Sequence, residues 1–405
     1  MKFTIKRLFC AFIGAVIIVL ASLILSANNF YFNILYSKSV ATNFMRNAEI
    51  NRNIISPITL RHKKANSFYG SNATHIFNIS NSSPFGDANE RMLLCMVCCG
   101  EARLEETQTS LKSAVLFSSS PLTLLVFTQP QHFHVFNSMV KSWPTSVQQR
   151  VKLSLKEVRY PDDVVEDEWR KMFVQCASLR LFLPMMLPKI RALLYVDTDV
   201  LFLSPVEGLW RHLRAMNSSQ LAAVAPEHQD LATGWYNRFA KHPYYGKLGI
   251  NSGVMLMNLS RMREFGWSEY IVPLKEQYEQ QLRWGDQDLL NILFHFHPEL
   301  VYVWDCSYNY RPDHCMYSSA CDAAEGPGIR VLHANRRAAF TDKFPPFTHI
   351  YQAMKKFVVG RDSMYNDLYK PLLLKLSLRP DAQCSLTPHI YLHQLQLYTR
   401  QLEQE

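Results

Sequence analysis

Residues 191–205 read RALLYVDTDVLFLSP, an apolar run interrupted by two carboxylates, Asp197 and Asp199. The flanks, Leu193–Val196 and Val200–Leu203, have the unbroken apolar character of a strand buried on both faces. Side chains alternate across a strand, so residues two apart share a side. Both acids then converge on one point while Thr198 faces away. Two like charges so close are costly unless a cation lies between them. The competing reading is a turn in which the acids cap loop amides; the flanks favour the strand.

The same pattern of short apolar strands recurs along the chain. RMLLCMVCCG (Arg91–Gly100) reads as a strand ending in glycine, EARLEETQTSLKSAVLFS as a helix, and LTLLVFT (Leu122–Thr128) as a second strand. VKLSLKEV and AAVAPE are strand-like, Glu168–Pro184 has helical spacing, and Ile250–Phe265 starts as a strand. WGDQDLLNILFHF places Asp286 as a cap before a helical apolar run, and GIRVLHANR is a short strand ending at His333. Strands alternating with helices predict an α/β domain with a mostly parallel sheet. In such sheets ligands bind beyond the carboxyl ends of the strands. Two carboxylates and one imidazole suit a hard-to-borderline divalent ion, manganese being the natural candidate, with positions left open for phosphate oxygens.

Of 405 residues, 48% are apolar and 19% charged, enough to bury a large core, and the length admits two or three domains. The net charge of +9 is spread out. No Lys/Arg block or aromatic-interleaved basic stripe points to nucleic acid, and a mild basic excess suits an anionic small molecule equally well.

Leu8–Leu25 is an uncharged apolar stretch of 18 residues behind Lys2, Lys6 and Arg7. That length spans a bilayer, and the basic flank predicts a type II anchor with everything beyond it luminal; a cleaved signal peptide is the alternative. Five N-x-S/T sequons, at Asn72, Asn78, Asn81, Asn217 and Asn258, agree with a luminal body. Cys306, Cys315, Cys321 and Cys384 lie in loop-like surroundings suited to disulfides, in pairs that spacing does not reveal. Cys95, Cys98, Cys99 and Cys176 sit in apolar stretches and read as core; Cys95 and Cys98 have the spacing of zinc ligands but no second pair. The expected layout is a cytoplasmic tail (1–7), a signal-anchor (8–26), a luminal stem (27–90), a catalytic domain (91–370) and a helical extension (371–405), in the Golgi or endoplasmic reticulum.

The motifs LLYVDTDVLFLSPVEGLW, NSGVMLMNLSRMR, WGDQDLLN and VLHANRR resemble, in order, those of glycosyltransferase family 8, retaining GT-A enzymes with nucleotide-sugar donors. APEHQDLATGWYNRFAKHPYYGKLGINSGVMLMNL and YNYRPDHCMY are similar to the glucoside xylosyltransferases, which add α-1,3-xylose to O-linked glucose on epidermal-growth-factor-like (EGF-like) repeats of proteins such as Notch. The resemblance covers roughly residues 90–380. It implies a GT-A, Rossmann-like fold, UDP-xylose as donor, Mn2+ as metal, and O-glucosylated EGF-like repeats as acceptors.

By that resemblance Asp197, Asp199 and His333 are the metal ligands. Val97 and Cys98 fall where the family holds uridine, and Asn251, Ser252 and Gly253 border the donor sugar. Asp286, Gln287 and Asp288 face the sugar near the reacting carbon, and Arg180 reaches towards the sugar–phosphate region. Asn335 falls in the diphosphate segment, where Ala334 replaces the family's usual glycine and its methyl is expected to tighten the loop. Trp235, Tyr236 and Trp284 read as packing aromatics open to acceptor contacts. Alternatives are a related transferase using UDP-glucose or UDP-galactose or adding xylose to xylose, and a non-catalytic, lectin-like membrane protein, which the retained acids disfavour.

Overall fold

The computed structural model describes residues 91–402 apart from 163, 173–175 and 379–381. The expected anchor, stem and three of the sequons lie outside these residues. Among the described residues no helix is long and apolar enough to cross a membrane.

Seven strands form the central sheet: β1 (Met92–Cys98), β2 (Leu122–Thr128), β3 (Val151–Glu157), β4 (Leu193–Val196), β6 (Ala222–Pro226), β7 (Ile250–Met257) and β8 (Val301–Val303), in the order β3-β2-β1-β4-β7-β6-β8. Neighbours are parallel except around β7, which pairs antiparallel with both β4 and β6. The sheet is therefore mostly parallel, as expected. β8, only three residues long, has no counterpart in the sequence reading.

Burial on both faces explains the continuous apolar runs. Leu94, Met96 and Cys98 enter one core with the helix Leu104–Phe117, while Cys95 and Val97 enter the other with the helix Asp286–Phe296. The C-terminal helix Pro388–Leu402 places Ile390, Tyr391 and Leu395 in the first core. Its approach is fixed by the Cys315–Cys384 disulfide and by Ile329 N–H donating to the Ile390 carbonyl at 2.8 Å.

The acid-bearing run is not one strand. β4 stops at Val196, residues 197–199 form a turn, and the chain re-enters as β5 (Val200–Phe202). β5 leaves the main sheet and pairs antiparallel with β9 (Val331–His333), with Val200 opposite His333. That register delivers the imidazole beside the acids.

The helix expected over Glu168–Pro184 is also broken. Helix Glu166–Lys171 gives way to Cys176 in the left-handed region (φ 64°), then a 3-10 turn Ala177–Phe182 and a short helix Leu183–Met186. Cys176 is bonded to Cys99, so these two cysteines are a covalent tie and not inert core as their apolar surroundings suggested. Cys306–Cys321 and Cys315–Cys384 pair the four loop cysteines, and Cys95 and Cys98 are buried free thiols.

Candidate active site

A cavity of about 560 Å³ opens beyond the carboxyl ends of β1 and β4. Asp197, Asp199 and His333 meet in it, with one ligating atom from each within 4.8 Å of the others. His333 Nε2 lies 3.3 Å from Asp199 Oδ1 and 3.8 Å from Asp197 Oδ2. Thr198 does not face away as the strand reading expected: it lines the cavity with the two acids, and its hydroxyl donates to Glu106 at 3.3 Å. The convergence read from the sequence is present, but a turn achieves it.

The three donors fit a divalent ion. They supply two carboxylates and an imidazole, and the space between them exists only because residue 253 lacks a side chain. A Cβ on Gly253 would stand 2.1 Å from His333 Cε1 and 2.9 Å from Asp197 Oδ2. Burial works against the Asp199 charge, yet His333 and Arg103 outweigh it and hold the carboxyl below its ordinary range.

Arg180 sits in the adjoining wall. Its Nη2 donates to Asp197 Oδ1 at 2.8 Å, its Nη1 to the Ser252 carbonyl at 2.6 Å, and its Nε lies 2.7 Å from Asp286 Oδ2. Its guanidinium rests 4.4 Å from the Tyr195 ring centroid. The Nε proton itself points to the Ala177 carbonyl at 3.2 Å, leaving Asp286 Oδ2 charge-paired but without a hydrogen bond. Burial pushes the Asp286 carboxyl up to about 6, the Arg180 charge only partly opposing it.

Asp286 does not cap its helix. Gly285 is the N-cap, at φ 52°, and Asp286 is the first helical residue. Two positions on, Asp288 is fully buried and absent from the cavity lining. Its Oδ1 accepts from the Tyr236 hydroxyl at 2.8 Å, and its Oδ2 from the Arg283 and Trp284 amides at 2.6 and 2.7 Å. Asp288 therefore holds the loop that carries Trp284, whereas Asp286 and Gln287 face the cavity. Trp284 lines the cavity and stacks on Trp235, ring centroids 4.0 Å apart.

Val97, Asn251, Ser252 and Asn335 also line the cavity. Cys98 does not, since strand alternation turns its thiol into the opposite core. Asn335 Oδ1 is buried with no partner. Ala334 packs in the hydrophobic core and is absent from the cavity lining. Arg103, Arg336 and Arg337 join the lining, as does Glu227. Glu227 Oε1 accepts from Arg311 at 2.6 Å, and burial raises its pKa against the Arg311 charge. The sequence reading missed Glu227, Asn309 and Arg311. Glu227 ends the strand-like AAVAPE, and a lone acid at a strand end was the available signal.

The glycosyl transferase family 8 model matches residues 94–333, the stretch that carries every side chain named so far from Cys95 to His333. The chain belongs to glycosyltransferase family 8. It is 46% identical over 318 residues to glucoside xylosyltransferase 1 of Mus musculus, covering 76% of this chain and 78% of that one. Glucoside xylosyltransferase 2 of Xenopus laevis is 43% identical over 318 residues, covering 76% of this chain and 74% of that protein. Among solved structures, the galactosyltransferase LgtC in complex with donor and acceptor sugar analogues matches with a TM-score of 0.50 at 16% identity, covering 68% of this chain and 100% of that one. That likeness supports the shared fold. The family 8 chain thus has the GT-A-like α/β architecture expected from its motifs.

Proposed function

We propose that this chain is a retaining transferase that moves xylose from UDP-α-D-xylose to the 3-position of O-linked β-glucose on EGF-like repeats, with Mn2+ as its metal. The observation that carries the reading is the meeting of Asp197, Asp199 and His333 beside Arg180 and Asp286, in a chain 46% identical to a glucoside xylosyltransferase.

The divalent ion, held by those three side chains, would neutralise charge that builds on the departing diphosphate. Arg103, Arg336 and Arg337 line the same cavity and add positive charge where an anion would settle. The Val97 side chain offers a floor to the base. The strand Asn251–Gly253 borders the sugar, its glycine permitting close approach. Asp286, facing the cavity next to Arg180, would flank an oxocarbenium-like centre at the anomeric carbon. Same-face attack, with a donor phosphate oxygen taking the acceptor hydroxyl's proton, is the favoured route to retention.

The proposal includes the layout of tail, signal-anchor, stem, catalytic domain and helical extension, and luminal residence in the Golgi or endoplasmic reticulum. The disulfides Cys99–Cys176, Cys306–Cys321 and Cys315–Cys384 support an oxidising compartment. Asn217 is an exposed sequon. Asn258 is buried and its side chain caps a helix by accepting from the Arg261 amide at 3.1 Å, so it is unsuited to a glycan.

The test is to incubate the full chain with Mn2+, a panel of UDP-sugars and an EGF-like repeat bearing O-glucose, and to determine the product linkage. An α-1,3-xylosyl-glucose product supports the reading. Transfer from UDP-glucose or UDP-galactose alone, transfer only onto xylose, or no transfer overturns it.

A further inference from the structure

We propose that Asn309 selects the tautomer of His333, and so which ring nitrogen faces the two aspartates, at the end of a buried line of amides anchored on Glu227 and Arg311. The inference rests on the metal reading above for its purpose, but not for its geometry.

A backbone N–H can only donate, and it fixes the direction of the whole line. Gly253 N–H donates to Asn251 Oδ1 at 3.0 Å, so that side of the Asn251 amide is its oxygen. The Asn251 amino group then faces Glu227 Oε2 at 2.8 Å, while Arg311 holds the other carboxylate oxygen at 2.6 Å. Asn251 Oδ1 accepts a second bond, from Asn309 Nδ2 at 2.8 Å. With its nitrogen committed there, Asn309 presents Oδ1 to His333 Nδ1 at 2.9 Å. A carbonyl oxygen only accepts, so Nδ1 carries the proton. In the neutral ring the lone pair then lies on Nε2, the nitrogen 3.3 Å from Asp199 Oδ1.

Without this line the preference would run the other way. Nε2–H donating to Asp199 satisfies the carboxylate directly and removes the lone pair a metal needs. The chain spends buried polar groups to prevent that: Asn309 and Arg311 are 0% exposed and Asn251 4%. The Asn309 segment is also held rigid. It ends the 3-10 turn Cys306–Asn309, stapled by Cys306–Cys321 and capped by Asp305 Oδ1 accepting from Ser307 N–H at 2.9 Å. A partner on the far nitrogen of a metal-binding histidine fixes ring orientation and tautomer, and its removal typically costs about 10- to 100-fold in metal affinity.

The test uses the full chain and two readouts. First, 13C,15N-histidine labelling with magic-angle-spinning NMR of the metal-free protein, taken to the alkaline pH at which the His333 nitrogen shifts are themselves those of a neutral ring, locates the His333 proton, with H333A assigning the signal. The unaltered chain should carry it on Nδ1, and N309L should move it to Nε2. Second, titration with Mn2+ alone, read by electron paramagnetic resonance of the free ion, should show N309L weaker by about 10- to 100-fold. N309D keeps an acceptor for Nδ1–H while giving up the donor to Asn251 Oδ1, so it should bind Mn2+ more tightly than N309L and more weakly than the unaltered chain. A proton on Nε2 in the unaltered chain overturns the proposal without needing any variant to fold. Unchanged Mn2+ affinity in N309L, or equal losses in N309L and N309D, overturns it as well, the second result meaning that Asn309 only fills space. Failure of the unaltered chain to bind Mn2+ strikes the metal reading, while the NMR result still decides the role of Asn309.

Discussion

The chain twice places aspartates two residues apart, at Asp197–Asp199 and at Asp286–Asp288, and the two pairs behave oppositely. The first pair spans a turn between strands, and its carboxylates converge within reach of His333. The second lies on the first turn of a helix, where residues two apart do not share a face. One of its acids looks into the cavity and the other is locked inward by three hydrogen bonds. Equal spacing thus yields converging carboxylates in one backbone and, in the other, one acid facing the cavity and one holding a loop.

The sharpest way to break that contrast is at the first pair. Asp199→Asn should lower metal-dependent transfer by roughly 100- to 1000-fold, the scale expected for losing one electrostatic contributor, with the unfolding midpoint little changed. Full activity in this variant would remove the proposed ligand role.

The second pair should split. Asp286→Asn is expected to cut turnover while leaving the fold intact. Asp288→Asn strips acceptor strength from the Tyr236 hydroxyl and two backbone amides, so it should cost about 1–3 kcal/mol in chemical denaturation. If both variants lose only turnover, the division of labour is wrong. Arg180→Met tests the neighbouring wall: it leaves the Asp286 charge buried without its partner and should destabilise by about 3–5 kcal/mol. Adding Asp286→Asn should recover much of this, because the stranded charge is then gone.

The smallest expected effect is a slope with pH. The Asp286 carboxyl titrates at about 6 in the folded chain against an ordinary value of 3.8. Between those values the folded chain holds a proton that the unfolded chain has released, so Asp286 favours folding at the acid end and that contribution is lost as pH rises through 6. The unfolding free energy of Asp286→Asn, compared with the parent from pH 4 to 7, should lack this component.

Much of the frame was legible because it rests on short-range rules. Alternation and apolar runs located β1, β2 and β3 and the end of β9, and the D-T-D motif pointed to a cation site. The convergence was inferred for a partly mistaken reason, since a strand was expected where a turn stands. Local pattern cannot reveal that β5 leaves the main sheet, because its partner, β9, lies more than a hundred residues away. The inward turn of Asp288 depends on Tyr236, and the line from Glu227 to His333 threads loops that have no period to read. Cys99 and Cys176 sit among apolar neighbours that resemble core, and only the fold brings them together.

That last bond has a bearing on how the protein must be made. It joins positions 77 residues apart, and Cys99 and Ala177 both border the cavity, so one sulfur linkage ties the end of β1 to the segment bearing Arg180. Closing a chain segment of that length stabilises by about 4–5 kcal/mol in the chain-entropy view. Material produced in reducing cytosol would keep every active side chain yet lose the stitch that sets the distance between its two lips, and low yield of competent enzyme from such a source would speak of assembly, not of chemistry.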